Sequence, residues 1–232
     1  MPTPEGTNSS SKTLAAYVLP FSAFLIGLAL VPVFTRENSS SLLLTNPKFW
    51  IYPLQILICG VLLVVFWKHY EFGSPKGWQL ALGTGFIVLG IWLAPQLIFG
   101  SPARTNGFDP SPLKDQSALY VLTIFLRFAR LVIIAPVVEE IFWRGFLMRY
   151  LIREDFTSVR FGTFQWRAFL LVALSFMLVH HIADWPAAFL CGLAYNFIAV
   201  RTGSLGACIL AHSLTNLGLG IYIMATSQWG FW

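Results

Sequence analysis

The sequence predicts an all-α polytopic membrane protein, a helix bundle with about seven or eight transmembrane helices. Of its 232 residues, 56% are hydrophobic and only 11% are charged, whereas soluble domains carry about 25% charged residues. Several apolar runs reach the ~20 residues that a helix needs to cross a bilayer. The formal charge of +5 is spread along the chain without a compact basic patch, so nucleic-acid binding is not expected.

The first hundred residues predict three spans and no functional site. Residues 1–12 are polar and Ser-rich, which is typical of a flexible tail. The spans are expected at Thr13–Phe34, Phe49–Trp67 and Trp78–Phe99, and the first lacks the cleavage signal of a secretory leader. Because no ionisable group lies deep in these spans, residues 13–99 are interpreted as a scaffold.

A long helical segment follows the Pro- and Gly-rich loop Gly100–Ala118. Leu119–Ile152 would measure ~51 Å at 1.5 Å per residue, which exceeds the ~30 Å of a hydrocarbon core. We therefore expect it either to protrude from the membrane or to break near Pro136. Arg127 and Arg130 share one face of its first half, where snorkelling to the interface or pairing with a loop carboxylate is favoured over a catalytic role.

Three more spans are predicted, at Ala168–Ile182, Trp185–Val200 and Leu205–Thr226, and residues 119–226 are interpreted as the functional core of a single membrane domain. With seven spans, eight basic residues fall on the side of the N-terminus: Lys12, Lys68, Lys76, Arg149, Arg153, Arg160, Arg167 and Arg201. Four fall on the other side: Arg36, Lys48, Arg104 and Lys114. The asymmetry predicts a cytoplasmic N-terminus.

Ionisable residues inside the later spans predict a functional site. Glu139 and Glu140 are the only acidic residues well inside an apolar segment, and His180, His181 and His212 lie in or at the ends of later spans. A charge at the bilayer centre costs roughly 2.5–3.5 kcal/mol on insertion scales. Such residues should therefore face the interior of the bundle and partner one another.

Helical i,i+4 spacing, which places two side chains on one face, occurs three times among these residues: Glu140 with Arg144, Phe176 with His180, and His212 with Asn216. An ion pair with Arg144 would hold Glu140 ionised. Glu139, about 100° round the helix, would then point elsewhere.

Two hydrolytic mechanisms fit the same residues. In the first, Glu139 takes a proton from water that His180 helps to hold, while His212 and Asn216 donate hydrogen bonds to the oxyanion. In the second, Glu139, His180 and His212 ligate a divalent metal such as zinc. The HExxH and GxSxG motifs of other hydrolases are absent.

These motifs resemble those of the CPBP family of intramembrane proteases, also called the CAAX protease, bacteriocin-processing or Abi family. The resemblance rests on Glu139-Glu140-x-x-x-Arg144, Phe176-x-x-x-His180 and His212-x-x-x-Asn216, in that order. It implies a membrane endopeptidase that cleaves membrane-associated proteins or peptides, which in eukaryotic relatives are prenylated CAAX proteins.

By position, the resemblance implies that Glu139 is the general base and that His180 shares the attacking water. His212 and Asn216 would form the oxyanion hole, supported by Glu140 and Arg144. The family has been described both as metalloproteases and as metal-independent glutamate proteases, so both mechanisms stay open. The compact chain is similar to bacterial CAAX-protease-related proteins, which implies the inner membrane of a bacterium and a substrate without a prenyl group.

Two other functions use the same residues. A non-catalytic scaffold or immunity-type protein would keep the polar cluster to specify helix packing, and a transporter would use it as a proton relay. The transporter is disfavoured because inverted repeats and paired broken helices are absent.

Asp184 follows His180 by four residues and His181 by three, and a plain loop role is favoured for it over orienting either imidazole.

Overall fold

The computed structural model describes residues 4–74 and 77–232 of the chain, with side chains from residue 11 onward. It is all-helical and has no strand in these ranges, which confirms the predicted fold class. The α-helices are α1 (Pro4–Phe34), α2 (Leu42–Thr45), α3 (Lys48–Val65), α4 (Trp78–Leu97), α5 (Ser117–Ala129), α6 (Ala135–Glu140), α7 (Met148–Tyr150), α8 (Trp166–Leu178), α9 (Trp185–Thr202) and α10 (Leu205–Thr226).

Six helical runs of the described chain are long and apolar enough to cross a membrane: 11–34, 48–65, 78–97, 117–150, 182–202 and 205–226. They coincide with six of the seven predicted spans. The remaining prediction corresponds to α8, an apolar helix of 13 residues, which covers only ~20 Å. The flexibility predicted for residues 1–12 remains a prediction, and residues 1–3 lie outside the described ranges.

The long segment runs through Pro136 as one helical run of 34 residues, Ser117–Tyr150. Its hydrogen bonding changes instead: π-helical turns occupy Arg130–Ile134 and Ile141–Leu147, on either side of α6. Pro136 lies in the first turn of α6 and cannot donate a backbone hydrogen bond to the preceding turn. A wider turn just before it accommodates this loss without a break. Two π turns thus flank the helix that carries the glutamates.

The described chain packs as two compact units. Unit 1 comprises Met1–Glu71 and Pro110–Phe142, and unit 2 comprises Phe72–Asp109 and Trp143–Trp232. These units do not follow the predicted division into a scaffold at 13–99 and a core at 119–226. That division was a functional one, and it remains a prediction.

Unit 1 packs α1 against α3 and α6, and α3 against α5. Pro20 lies inside α1 and has no N–H for the carbonyl of Ala16. The hydroxyl of Tyr70 donates to that carbonyl instead, at 2.9 Å. Burial raises the pKa of Tyr70 above its ordinary range, so the hydroxyl keeps the proton that it donates.

Unit 2 packs α4 against α9 and α10, and α8 against α9. The ends of its helices are set locally: Gln165 caps α8 through the N–H of Ala168 at 2.6 Å, and Ser204 caps α10 through the N–H of Ala207 at 3.2 Å. At Gly192 on α9 a Cβ would lie 2.9 Å from the Cα of Ala173. Glycine therefore permits the close approach of α8 and α9.

Candidate active site

One aromatic ring in unit 2 contacts a residue from each of the three sequence motifs. The ring of Phe176 lies 5.1 Å from the guanidinium carbon of Arg144, 4.6 Å from the ring of His180 and 6.2 Å from the ring of His212. Phe176 is 1% exposed. The Phe-x-x-x-His spacing predicted the contact with His180, and the structure shows that the same ring also contacts one residue of each of the other two motifs.

Arg144 is held inside unit 2 by contacts that sequence reasoning missed. It is 1% exposed; its Nε donates to Oδ1 of Asn196 at 2.9 Å and its Nη2 donates to the carbonyl of Gly192 at 3.2 Å. The Nδ2 of Asn196 in turn donates to the carbonyl of Phe169 at 2.8 Å. A buried guanidinium needs such hydrogen bonds, and an asparagine among the apolar residues in the middle of α9 was the available signal for them.

The hydrogen bonds of Arg144 predict the effect of changing it to lysine. Arg144→Lys keeps the charge but cannot form the two-point contact with Asn196 and Gly192. Hydrogen bonds to charged groups contribute about 1.5–3 kcal/mol each, so we expect the Tm in detergent to fall by about 5–10 °C. The matched control is Arg160→Lys on an exposed loop, for which no shift is expected. An unchanged Tm for Arg144→Lys would contradict this account.

His180 has a defined orientation at the end of α8. Its Nδ1 lies 2.7 Å from the carbonyl oxygen of Phe176. A carbonyl only accepts, so Nδ1 carries the proton, and in a neutral imidazole Nε2 is then an acceptor. Nε2 has no hydrogen-bond partner within the described part of the chain, and the ring packs against Trp92 at 5.7 Å. His180 can therefore accept a proton or a hydrogen bond from water.

His181, the neighbouring histidine, has a different role. It is exposed, and its Nδ1 accepts from the N–H of Ala183 at 3.3 Å, where it caps the short turn Ile182–Asp184. Asp184 forms a bidentate ion pair with Arg104, at 2.6 and 3.1 Å. The carboxylate of Asp184 thus binds Arg104 from the turn between α8 and α9, a contact that the sequence did not predict.

His212 and Asn216 both lie on α10, as the spacing predicted. His212 is 6% exposed and stacks on the ring of Tyr195 at 5.0 Å. The hydroxyl of Tyr195 donates to Oγ1 of Thr215 at 2.8 Å, and Oγ1 lies within hydrogen-bond reach of the carbonyls of Gly85 and Ala211. The imidazole of His212 thus packs on a ring that is itself hydrogen-bonded in place.

The two glutamates lie at the end of α6, in unit 1, and their environments differ. Glu140 is completely buried and has interactions of its own, whereas Glu139 is half-buried. Oε2 of each glutamate is shielded from solvent and has no hydrogen-bond partner among the residues described. An unengaged buried acceptor costs about 1–3 kcal/mol and calls for an explanation. The pairing of Glu140 with Arg144 remains a prediction.

Arg127 and Arg130 are buried in unit 1, at 3% and 5% exposure. Both guanidinium groups lie over the ring of Tyr52, at 4.7 and 4.1 Å. Arg130 also donates from Nε to Gln55 and interacts electrostatically with Glu139. The prediction that these arginines snorkel or pair with a loop carboxylate is therefore wrong. Aromatic and amide surfaces from α3 provide their environment, and spacing within one helix cannot show such contacts.

The metal alternative requires at least three ligands in one place. Within residues 4–74 and 77–232, no group of three or more His, Cys, Asp and Glu side chains is arranged to hold a metal ion.

The fold and these residues define an integral membrane protein of the α-helical, polytopic class, with a buried polar cluster in its helices. Residues 121–218 match the family model described as type II CAAX prenyl endopeptidase Rce1-like. The matched segment is less than half of the chain, includes all three motifs, and confirms the family resemblance. It supports a peptidase role. No curated protein and no solved structure matches the chain.

Proposed function

We propose that this protein is an intramembrane endopeptidase that hydrolyses a peptide bond of a membrane-associated protein or peptide. The observation that carries the proposal is the shielded and unengaged Oε2 of Glu139, within the segment that matches a peptidase family. A general base needs a lone pair that no structural hydrogen bond occupies. The unengaged Nε2 of His180 supports the same chemistry.

In the proposed reaction, Glu139 takes the proton of a water molecule and Nε2 of His180 accepts its second hydrogen bond. The hydroxide attacks the scissile carbonyl, and N–H groups of His212 and Asn216 donate to the oxyanion. Glu139 then returns the proton to the leaving amine. Arg144 and Glu140 support the site without contacting the substrate, and the buried contacts of Arg144 with Asn196 suit such a role.

The proposal is tested with purified protein and two model peptides in detergent, a farnesylated CAAX peptide and its unprenylated counterpart. We expect a single endoproteolytic cut that persists after incubation with EDTA or 1,10-phenanthroline, because in the proposed reaction Glu139 and His180 activate the water without a metal ion. Loss of cleavage on chelation, restored by zinc, would contradict the metal-free mechanism. Failure to cut any membrane-anchored peptide would contradict the peptidase proposal itself.

We further propose that the protein lies in the inner membrane of a bacterium with its N-terminus in the cytoplasm. The support is the excess of Lys and Arg on one side when α8 is counted as a seventh span. A reporter enzyme that is active only in the periplasm should stay inactive when fused before residue 1. Activity of that fusion would reverse the proposed orientation.

A further inference from the structure

A second polar cluster in unit 2 lies outside the three motifs and centres on Arg104, in the loop after α4. Its Nη1 and Nη2 donate to Oδ1 and Oδ2 of Asp184, at 2.6 and 3.1 Å. Both side chains are largely shielded, at 21% and 17% exposure. Two parallel charge-assisted hydrogen bonds fix direction as well as distance.

Arg104 is itself held by the last turn of the chain. Its N–H donates to Oε1 of Gln228 at 3.1 Å, and its carbonyl accepts from the N–H of Gly230 at 2.7 Å. The guanidinium lies 4.5 Å from the ring centre of Phe231. Nearby, a Cβ on Gly107 would lie 1.9 Å from the carbonyl oxygen of Trp229, so the loop and this turn are in backbone contact. These contacts hold the backbone and the guanidinium of Arg104 in place independently of Asp184.

Asp184 connects this cluster to His180 through the turn that follows α8. The N–H of Asp184 donates to the carbonyl of His181 at 2.8 Å. Asp184 directly precedes α9, and the indole N–H of Trp185, the first residue of α9, donates to the carbonyl of His180 at 3.2 Å. The backbone of His180 is thus linked by hydrogen bonds to the segment that Arg104 holds.

We propose that the Arg104–Asp184 ion pair is a positioning device for His180, which holds the turn after α8 so that Nε2 keeps its place. This inference rests on the proposed function for the use of Nε2 in catalysis. Arg104 lies outside the segment that matches the family model. Displacing a reacting group by about 1 Å can cost 10²-fold in rate, whereas a partly exposed ion pair contributes little to stability.

The ion pair is tested in the full-length protein with Asp184→Asn, Arg104→Gln and the charge-reversed double variant Arg104→Asp with Asp184→Arg. The substrate probe is the farnesylated CAAX peptide, and Asp155→Asn, an exposed carboxylate that accepts from Thr157, is the matched control. We expect each single variant to lower kcat about tenfold or more with KM nearly unchanged. The charge-reversed double variant should recover most of the lost kcat. The Tm of all three variants should stay close to the wild-type value.

A second measurement does not depend on activity. In protein labelled with ¹⁵N-histidine, the ring signals of His180, assigned by their loss in His180→Gln, should report protonated Nδ1 and unprotonated Nε2. Asp184→Asn should shift or broaden these signals, and the reversed pair should restore them.

The outcomes separate the two proposals. If the wild type does not cleave the peptide but the His180 signals respond as expected, the proposed function fails and the positioning inference stands. If the wild type cleaves and the single variants change neither kcat nor the ring signals, the inference is overturned. The inference is also overturned if the single variants lower Tm in proportion to kcat and the charge-reversed double variant restores neither. The ion pair would then be purely structural.

Discussion

Replacing Glu139 by glutamine is expected to lower kcat for the model peptide by about 10²–10⁴-fold, the range that a general base contributes. Glutamine has the same shape and cannot take a proton from water. KM should stay near the wild-type value. The Tm in detergent should fall, because the change removes the electrostatic interaction of Glu139 with buried Arg130, but by less than for a residue with hydrogen bonds to lose, since Oε2 accepts none within the described part of the chain. Initial rates over a range of peptide concentrations and a thermal melt measure both.

Glu140→Gln is the matched control, since it makes the same chemical change at the adjacent residue. Glu140 is completely buried, and a buried charge that loses its interactions is expected to cost several kcal/mol. This variant should therefore lower the Tm markedly. The two glutamates would then not be interchangeable, and identical behaviour of the two variants would contradict the division of roles.

The same pair of variants separates the peptidase from a non-catalytic scaffold. In a scaffold that keeps the polar cluster for helix packing, Glu139→Gln would change stability and leave no kinetic defect. The engaged contacts of Arg144 show that part of the cluster does pack structurally. The match of residues 121–218 to a peptidase family is what favours the peptidase over the scaffold.

His212→Phe is expected to lower kcat by about 10²–10³-fold, the cost of losing one oxyanion donor. Phenylalanine preserves a ring that can stack on Tyr195, where the imidazole lies at 5.0 Å, so the change removes the donor while retaining the packing. KM should change little, because the donor acts on charge that develops only in the transition state. Steady-state kinetics, with the Tm as a folding check, measure the effect.

Two further variants test this expectation, one expected to lose activity and one expected to keep it. Asn216→Leu, one turn further along α10, should give a loss of the same order. His69→Phe, which changes a histidine of unit 1 outside the motifs, should keep kcat within about twofold. A raised KM with unchanged kcat for His212→Phe would instead assign that residue to ordinary substrate binding.

Periodicity within single helices was enough to predict much of this structure. The span Leu205–Thr226 was predicted with the bounds that α10 has, and Phe176 and His180 meet as their spacing requires. Hydropathy and i,i+4 spacing are properties of a contiguous stretch, so one sequence suffices to read them. The same reasoning placed a possible break at Pro136, where the chain responds with a π turn because the helix can widen without interruption.

Contacts between helices could not be predicted in this way. From α9, Asn196 accepts a hydrogen bond from Arg144, and Tyr195 stacks on His212. The ring of Tyr52 contacts two arginines that were expected at the membrane surface. Such partners depend on which faces pack together, and that information is spread over distant segments. The pairing of Asp184 with Arg104, 80 residues apart in the chain, has the same character.

The central claim is that Glu139 activates a water molecule that hydrolyses a peptide bond. Its most direct test is cleavage of the model peptide in H₂¹⁸O by purified wild-type and Glu139→Gln protein, with the products weighed by mass spectrometry. We expect the new C-terminal carboxylate from the wild type to carry one ¹⁸O atom, and Glu139→Gln to yield almost no product. Labelled product formed by Glu139→Gln at the wild-type rate would contradict the claim.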